Sequence, residues 1–141
     1  SCPIVGSALS LRLNVRQPAN KGDPMNDQDT CVDDLKTAIA AFTSARRWEP
    51  FFSPKNLAMS IAIEAAELME VFQWVDNAEA TALAQASPHR DRMADELADV
   101  LIYCLTLANA LELDVSTSIT RKMDANGRKY PVEPVSPITE R

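Results

Sequence analysis

The stretch from Leu97 to Leu111 constrains this chain most. It reads as helix, and it is apolar on nearly every side. A helix that is apolar all round must be covered all round. The chain has 141 residues, enough for one domain. One small four-helix unit cannot cover such a helix alone. The sequence therefore predicts a homo-oligomer, at least a dimer, with this helix near the shared interface. The longest apolar run, Val100 to Leu111, is too short to cross a bilayer, which takes roughly 20 residues.

The rest of the pattern is helical too. Only three glycines are present, too few for a Gly-loop or all-β architecture. Val32, Leu35, Ile39 and Phe42 recur at helical spacing and predict a first helix to about Arg47, capped by Asp29 or Thr30. Ser53-Pro54 reads as a cap followed by Pro at the first helical position. A second helix then runs to about Trp74. Asp76 to Ala86 holds at most one short helix. Ser87-Pro88 repeats the start signal and opens a third long helix to about Leu113. Asp114 or Ser116 caps a last helix that stops near Asn126-Gly127. The expected fold is an all-α four-helix bundle.

Residues 25–131 form the expected domain. Ser1–Pro24 lacks periodicity and reads as a disordered leader or extension, and the Pro-rich 132–141 reads as an extended or disordered tail. The net charge of −6 argues against non-specific nucleic-acid binding and against an anionic membrane, since both need a basic surface. Cys2, Cys31 and Cys104 are odd in number and match no zinc spacing. They read as reduced thiols in a cytoplasmic protein.

Two acidic pairs carry the chemistry. Glu64-Ala65-Ala66-Glu67 lies on the second helix, and Glu96-Leu97-Ala98-Asp99 on the third. Residues three apart sit about 60° apart around a helix, so each pair shares a face. Both pairs border apolar stripes, where uncompensated carboxylates are costly. Divalent cations compensate them. All-oxygen ligands suit hard Mg²⁺ or Mn²⁺. Either pair alone would be ordinary on a solvated helix; two pairs on successive helices point to a metal site. A di-iron bundle also uses inward glutamates but needs E-x-x-H pairs. The only histidine, His89, lies at a helix start and reads as a surface residue.

Basic and aromatic residues offer further site candidates. Arg121, Lys122, Arg128 and Lys129 cluster around Asn126 near the end of the last helix. They suit phosphate oxygens, or simply the negative end of a helix dipole. Trp48 and Trp74, the only tryptophans, sit at helix ends. They line a base pocket or pack in an interface. Tyr103 follows Asp99 by one turn and shares the acidic face.

E-x-x-E followed after a gap by E-x-x-D resembles the signature of the MazG-like all-α nucleoside triphosphate pyrophosphohydrolases. The flanking residues extend the likeness toward the dCTP pyrophosphatase branch. They are Trp48-Glu49, Pro54 to Leu57, Phe72-Gln73-Trp74, Val100 to Tyr103, Lys122 to Asn126 and Arg128 to Pro131. The resemblance implies a MazG-like bundle assembled as a tight homodimer or dimer of dimers, with a neighbouring chain completing the pocket. It implies Mg²⁺ held by Glu64, Glu67, Glu96 and Asp99. It implies phosphates held by Lys122, Asn126 and Arg128, and a nucleotide pocket lined by Trp48, Trp74 and Tyr103. The implied reaction converts dCTP or a modified dCTP to monophosphate and pyrophosphate. Relatives that prefer dCTP often carry a histidine where this chain has Ile39, which puts the base preference in question. The alternatives are a broad housecleaning pyrophosphohydrolase and a non-catalytic helical interaction module.

Overall fold

The computed structural model describes residues 24–132. The expected leader and tail fall almost wholly outside these residues. The chain divides into two units, Ser1–Cys31 and Val32–Arg141. In the first, Asn26 organises a turn. Its side-chain oxygen accepts from the backbone N–H groups of Gln28 and Asp29, at 3.0 and 3.2 Å. A short polar side chain folding its own backbone in this way replaces ladder hydrogen bonds.

The second unit is all helical among the described residues: α1 (Val32–Ala45), a 3₁₀ turn (Glu49–Phe51), α2 (Pro54–Glu70), α3 (Asn77–Leu83), α4 (His89–Ala110) and α5 (Val115–Lys129). The expected four long helices are present, and the short α3 makes a fifth. Asp76 and Glu79 begin α3 with a reciprocal capping box. Ser53 caps α2 by accepting from the Asn56 N–H, with Pro54 at the first position. Asp114 caps α5 by accepting from the Thr117 N–H at 2.7 Å.

Several boundaries differ from the sequence expectation, among them the ends of α1 at Ala45 and of α4 at Ala110. α2 ends at Glu70, four residues before Trp74. Beyond it the chain tightens into successive three-residue turns, Phe72 N–H to Met69 O and Val75 N–H to Phe72 O. Ser87-Pro88 does not repeat Ser53-Pro54. Its peptide is cis, Pro88 itself occupies the cap position without a side-chain cap, and the Ser87 hydroxyl donates to Asp91. α5 runs past Gly127 to Lys129. The helix stops that use left-handed backbone lie elsewhere, at Arg47 (φ 56°) and Glu112 (φ 52°). At each, the next N–H reaches back five residues, Trp48 to Thr43 O and Leu113 to Ala108 O. This is the Schellman closure, which tolerates a non-glycine residue at a cost of about 1 kcal/mol.

α4 is the axis of the unit. α2 packs along it and α1 packs beside it, while α5 leaves its end at an angle of 103°. Two bonds pin α1 to the end of α4: Lys36 Nζ donates to Leu113 O at 2.9 Å, and Asn109 Nδ2 donates to Lys36 O at 3.0 Å. The single-chain core is small. Leu57 is 1% exposed and Ala108 is buried, and the buried hydroxyls of Thr43 and Thr106 donate to carbonyls of their own helices. Cys104 is a half-buried residue of α4. The expected all-round cover of α4 is incomplete within one chain: Leu101 is 52% exposed, and Leu97 and Ile102 are exposed beside it. No single helix among the described residues is long and apolar enough to cross a membrane.

Gly127 lies inside α5, and a Cβ placed there meets nothing within 4 Å. Gly127→Ala should therefore raise stability by about 0.5–1 kcal/mol through the lower entropy of the unfolded chain. An increased urea midpoint at unchanged slope checks it.

Candidate metal and phosphate site

The packing of α2 on α4 decides where the carboxylates go. The C-terminal half of α2 lies against the N-terminal half of α4, as the Arg92–Glu70 pair across them shows. The two helices therefore run antiparallel there. E-x-x-E faces E-x-x-D. Glu64, Glu96 and Asp99 each place one carboxylate oxygen within 4.8 Å of the others. Glu64 and Glu96 are half-buried and Asp99 is exposed. Glu67, one helical turn along from Glu64, is exposed at the rim.

This crowding is visible in proton affinity. The Glu64 carboxyl is pushed above its ordinary value of 4.5, first by desolvation and then by the charges of Glu67, Asp99 and Glu96. Every charge acting on it is negative. A group of oxygens held together against their own repulsion, without histidine or cysteine among them, fits a hard divalent cation. Mg²⁺ and Mn²⁺ both meet that description.

Arg92 also belongs to the site, and the sequence reading missed it. Its Nε lies 3.5 Å from Glu96 Oε1, and its Nη2 lies 3.8 Å from Glu70 Oε2. The spacing of Arg92 and Glu96, four apart on one helix, was the available signal.

The remaining candidates stand apart within one chain. Trp48 packs edge-on to Phe42 and Phe52, with ring centroids 5.9 and 6.4 Å away, and Arg46 stacks 3.4 Å over Phe42. Trp74 is 88% exposed on the turns after α2. Tyr103 is half-buried on α4, one turn beyond Asp99. Lys122, Asn126 and Arg128 are exposed on α5. α5 packs along none of the other helices, so these three are not brought to the carboxylates of their own chain.

A cavity of about 460 Å³ lies between α1 and α4. Ile39, Thr43, Phe52, Thr106 and Asn109 line it, with Glu49 at its edge. The Glu49 carboxyl is held below its ordinary value by its own backbone N–H and by the Ser44 hydroxyl, so it stays charged there. The cavity was not expected from sequence, because it depends on how α1 crosses α4.

Residues 59–140, which hold both acidic pairs, match the MazG-like family. The chain belongs to that family. It is 38% identical over 101 residues to dCTP pyrophosphatase 1 of Rattus norvegicus, a match covering 72% of this chain and 59% of that protein. It is 36% identical over 100 residues to dCTP pyrophosphatase 1 of Homo sapiens, covering 71% and 59%. The match thus spans less than two thirds of the length of these relatives. A crystal structure of a pyrophosphatase from Archaeoglobus fulgidus superposes with a TM-score of 0.69 at 35% identity, covering 77% of this chain and all of that one.

The raised Glu64 value sets a pH prediction. The folded state holds this proton to higher pH than the unfolded chain, so the contribution of Glu64 to metal-free stability falls as pH rises above 4.5. In EDTA at neutral pH, Glu64→Gln should melt at a higher temperature than the unchanged protein. The difference should close below pH 4.5, where the unfolded chain is protonated as well.

Proposed function

We propose that this MazG-like protein hydrolyses nucleoside triphosphates, dCTP or base-modified dCTP foremost, to monophosphate and pyrophosphate with Mg²⁺ as cofactor. The convergence of Glu64, Glu96 and Asp99, with Glu67 at the rim, is the observation that carries this reading. The likeness to two dCTP pyrophosphatases supports it.

Glu64, Glu67, Glu96 and Asp99 would hold the cations. When bound, divalent ions there supply Lewis acidity and make water a better nucleophile near neutral pH. The protein supplies the rest. Glu64 and Glu96 are half-buried, so water competes less for their oxygens than for those of exposed Glu67. Glu67, exposed beside the cluster, or Glu64 would orient the attacking water and accept its proton. Lys122, Asn126 and Arg128 offer donors that offset charge building on the pyrophosphate leaving group. Trp48, Trp74 and Tyr103 offer aromatic faces for the base.

These donors and the carboxylates meet in our reading because a second copy of the chain brings its α5 to the site. The uncovered apolar surface supports a homodimer or dimer of dimers: Leu97, Leu101 and Ile102 on α4, Ile63 on α2, and Ile119 and Met123 on α5 are all exposed in one chain. So much apolar surface marks an interaction face rather than solvent contact. Sedimentation should give the mass of a dimer or tetramer, and Leu101→Glu should shift it toward monomer. A monomer for the unchanged chain at micromolar concentration would contradict this assembly.

A second reading concerns specificity alone. Ile39 lines the α1–α4 cavity and has no side-chain donor or acceptor. A base seated there receives no hydrogen bond from this position, which favours a broader substrate range.

One experiment tests the reaction. The protein is incubated with Mg²⁺ and a panel of canonical and modified triphosphates, and the products are separated by ion exchange. Monophosphate and pyrophosphate are expected, and EDTA should abolish them. Glu67→Gln and Asp99→Asn should fold normally and lose activity by about 100-fold or more, since even outer partners of a metal site are worth about 10–100-fold. Diphosphate with orthophosphate, or full activity in either variant, would overturn the assignment.

A further inference from the structure

Glu96 carries a tension that the proposed reaction does not use. Its side chain is only 15% exposed, so water solvates the carboxylate poorly. It faces Glu64 and Asp99 across less than 4.8 Å. Such a group needs a positive partner. One is already present in the fold. Arg92 lies one turn earlier on α4 and presents Nε to Glu96 at 3.5 Å.

The contact is long. Charge-assisted N–H···O bonds close to about 2.7–2.9 Å. The reason is on α2: Glu70 draws the same guanidinium by Nη2, at 3.8 Å. Arg92 is suspended between two carboxylates and tightly bound by neither. It is also half exposed, so both pairs are weak and easily exchanged.

We propose that Arg92 is a resident counter-ion that competes with divalent cations for Glu96, and that Glu70 sets the strength of this competition by drawing Arg92 aside. This rests on the carboxylates being the metal site. Arg92 touches neither the reacting atoms nor the cation; it is a positioning residue. Its consequence is a site that holds cations loosely while it lacks nucleotide.

The test is calorimetric titration of the full-length protein with Mn²⁺ in the absence of nucleotide. Arg92→Ala should bind Mn²⁺ more tightly, by up to about fivefold, the range exposed ion pairs allow. Arg92→Lys keeps the charge and should stay near the unchanged protein. Arg90→Ala makes the same change in net charge one turn-half away and should leave the affinity unaltered. Glu70→Gln should weaken binding, and that loss should shrink when Arg92→Ala is also present, because the two act through one guanidinium.

Weaker or unchanged Mn²⁺ binding by folded Arg92→Ala would overturn the inference. So would equal tightening by Arg90→Ala, which would reduce the effect to net charge. If Arg92→Ala fails to fold, Glu70→Gln with unaltered affinity overturns it as well. An unchanged protein that binds no Mn²⁺ would instead remove the metal site itself, and the inference with it.

Discussion

Mutual repulsion among Glu64, Glu67, Glu96 and Asp99 is the constraint on which the rest of this molecule turns. Two antiparallel helices bring Glu64, Glu96 and Asp99 together with Glu67 at their rim, and packing around buried Leu57 holds the helices there. Desolvation and then the neighbouring negative charges disfavour the ionised Glu64 carboxylate in this arrangement. Positive charge arriving from elsewhere would relieve such a cluster. Divalent cations and a partly engaged Arg92 are the two sources that the chemistry offers.

The same economy explains what one chain lacks. From Val100 onward α4 is largely apolar, yet α1 and α2 cover only part of it. α5 departs at 103° and carries its apolar and basic residues away from its own acidic cluster. Incomplete core and incomplete site thus have one remedy in our reading. A second chain would cover α4 and bring phosphate-binding donors to the carboxylates in a single association.

Much of this was legible in sequence because it depends on local rules. Helix starts at Ser53 and Asp114 follow from short side chains that accept backbone N–H groups, and both are present. The acidic pairs were legible because spacing of three on a helix fixes a common face. Helix ends were less so. Gly127 looked like a stop but has helical surroundings, while the left-handed closures fall on Arg47 and Glu112, residues with no special tendency to adopt them. Those stops are set by where Trp48 and Leu113 must go, which is tertiary information. Arg92 was missed because its second partner, Glu70, lies on another helix. The α1–α4 cavity was missed for the same reason.

The family assignment gives the fold class; which residues hold a divalent cation is the central physical claim. Crystals soaked with Mn²⁺ and a nonhydrolysable triphosphate, measured for anomalous scattering, address it most directly. The account predicts peaks among the carboxylates of Glu64, Glu67, Glu96 and Asp99, bridged to phosphate oxygens. Bound triphosphate with no manganese at these four residues, or with manganese only at other acidic groups, would contradict it.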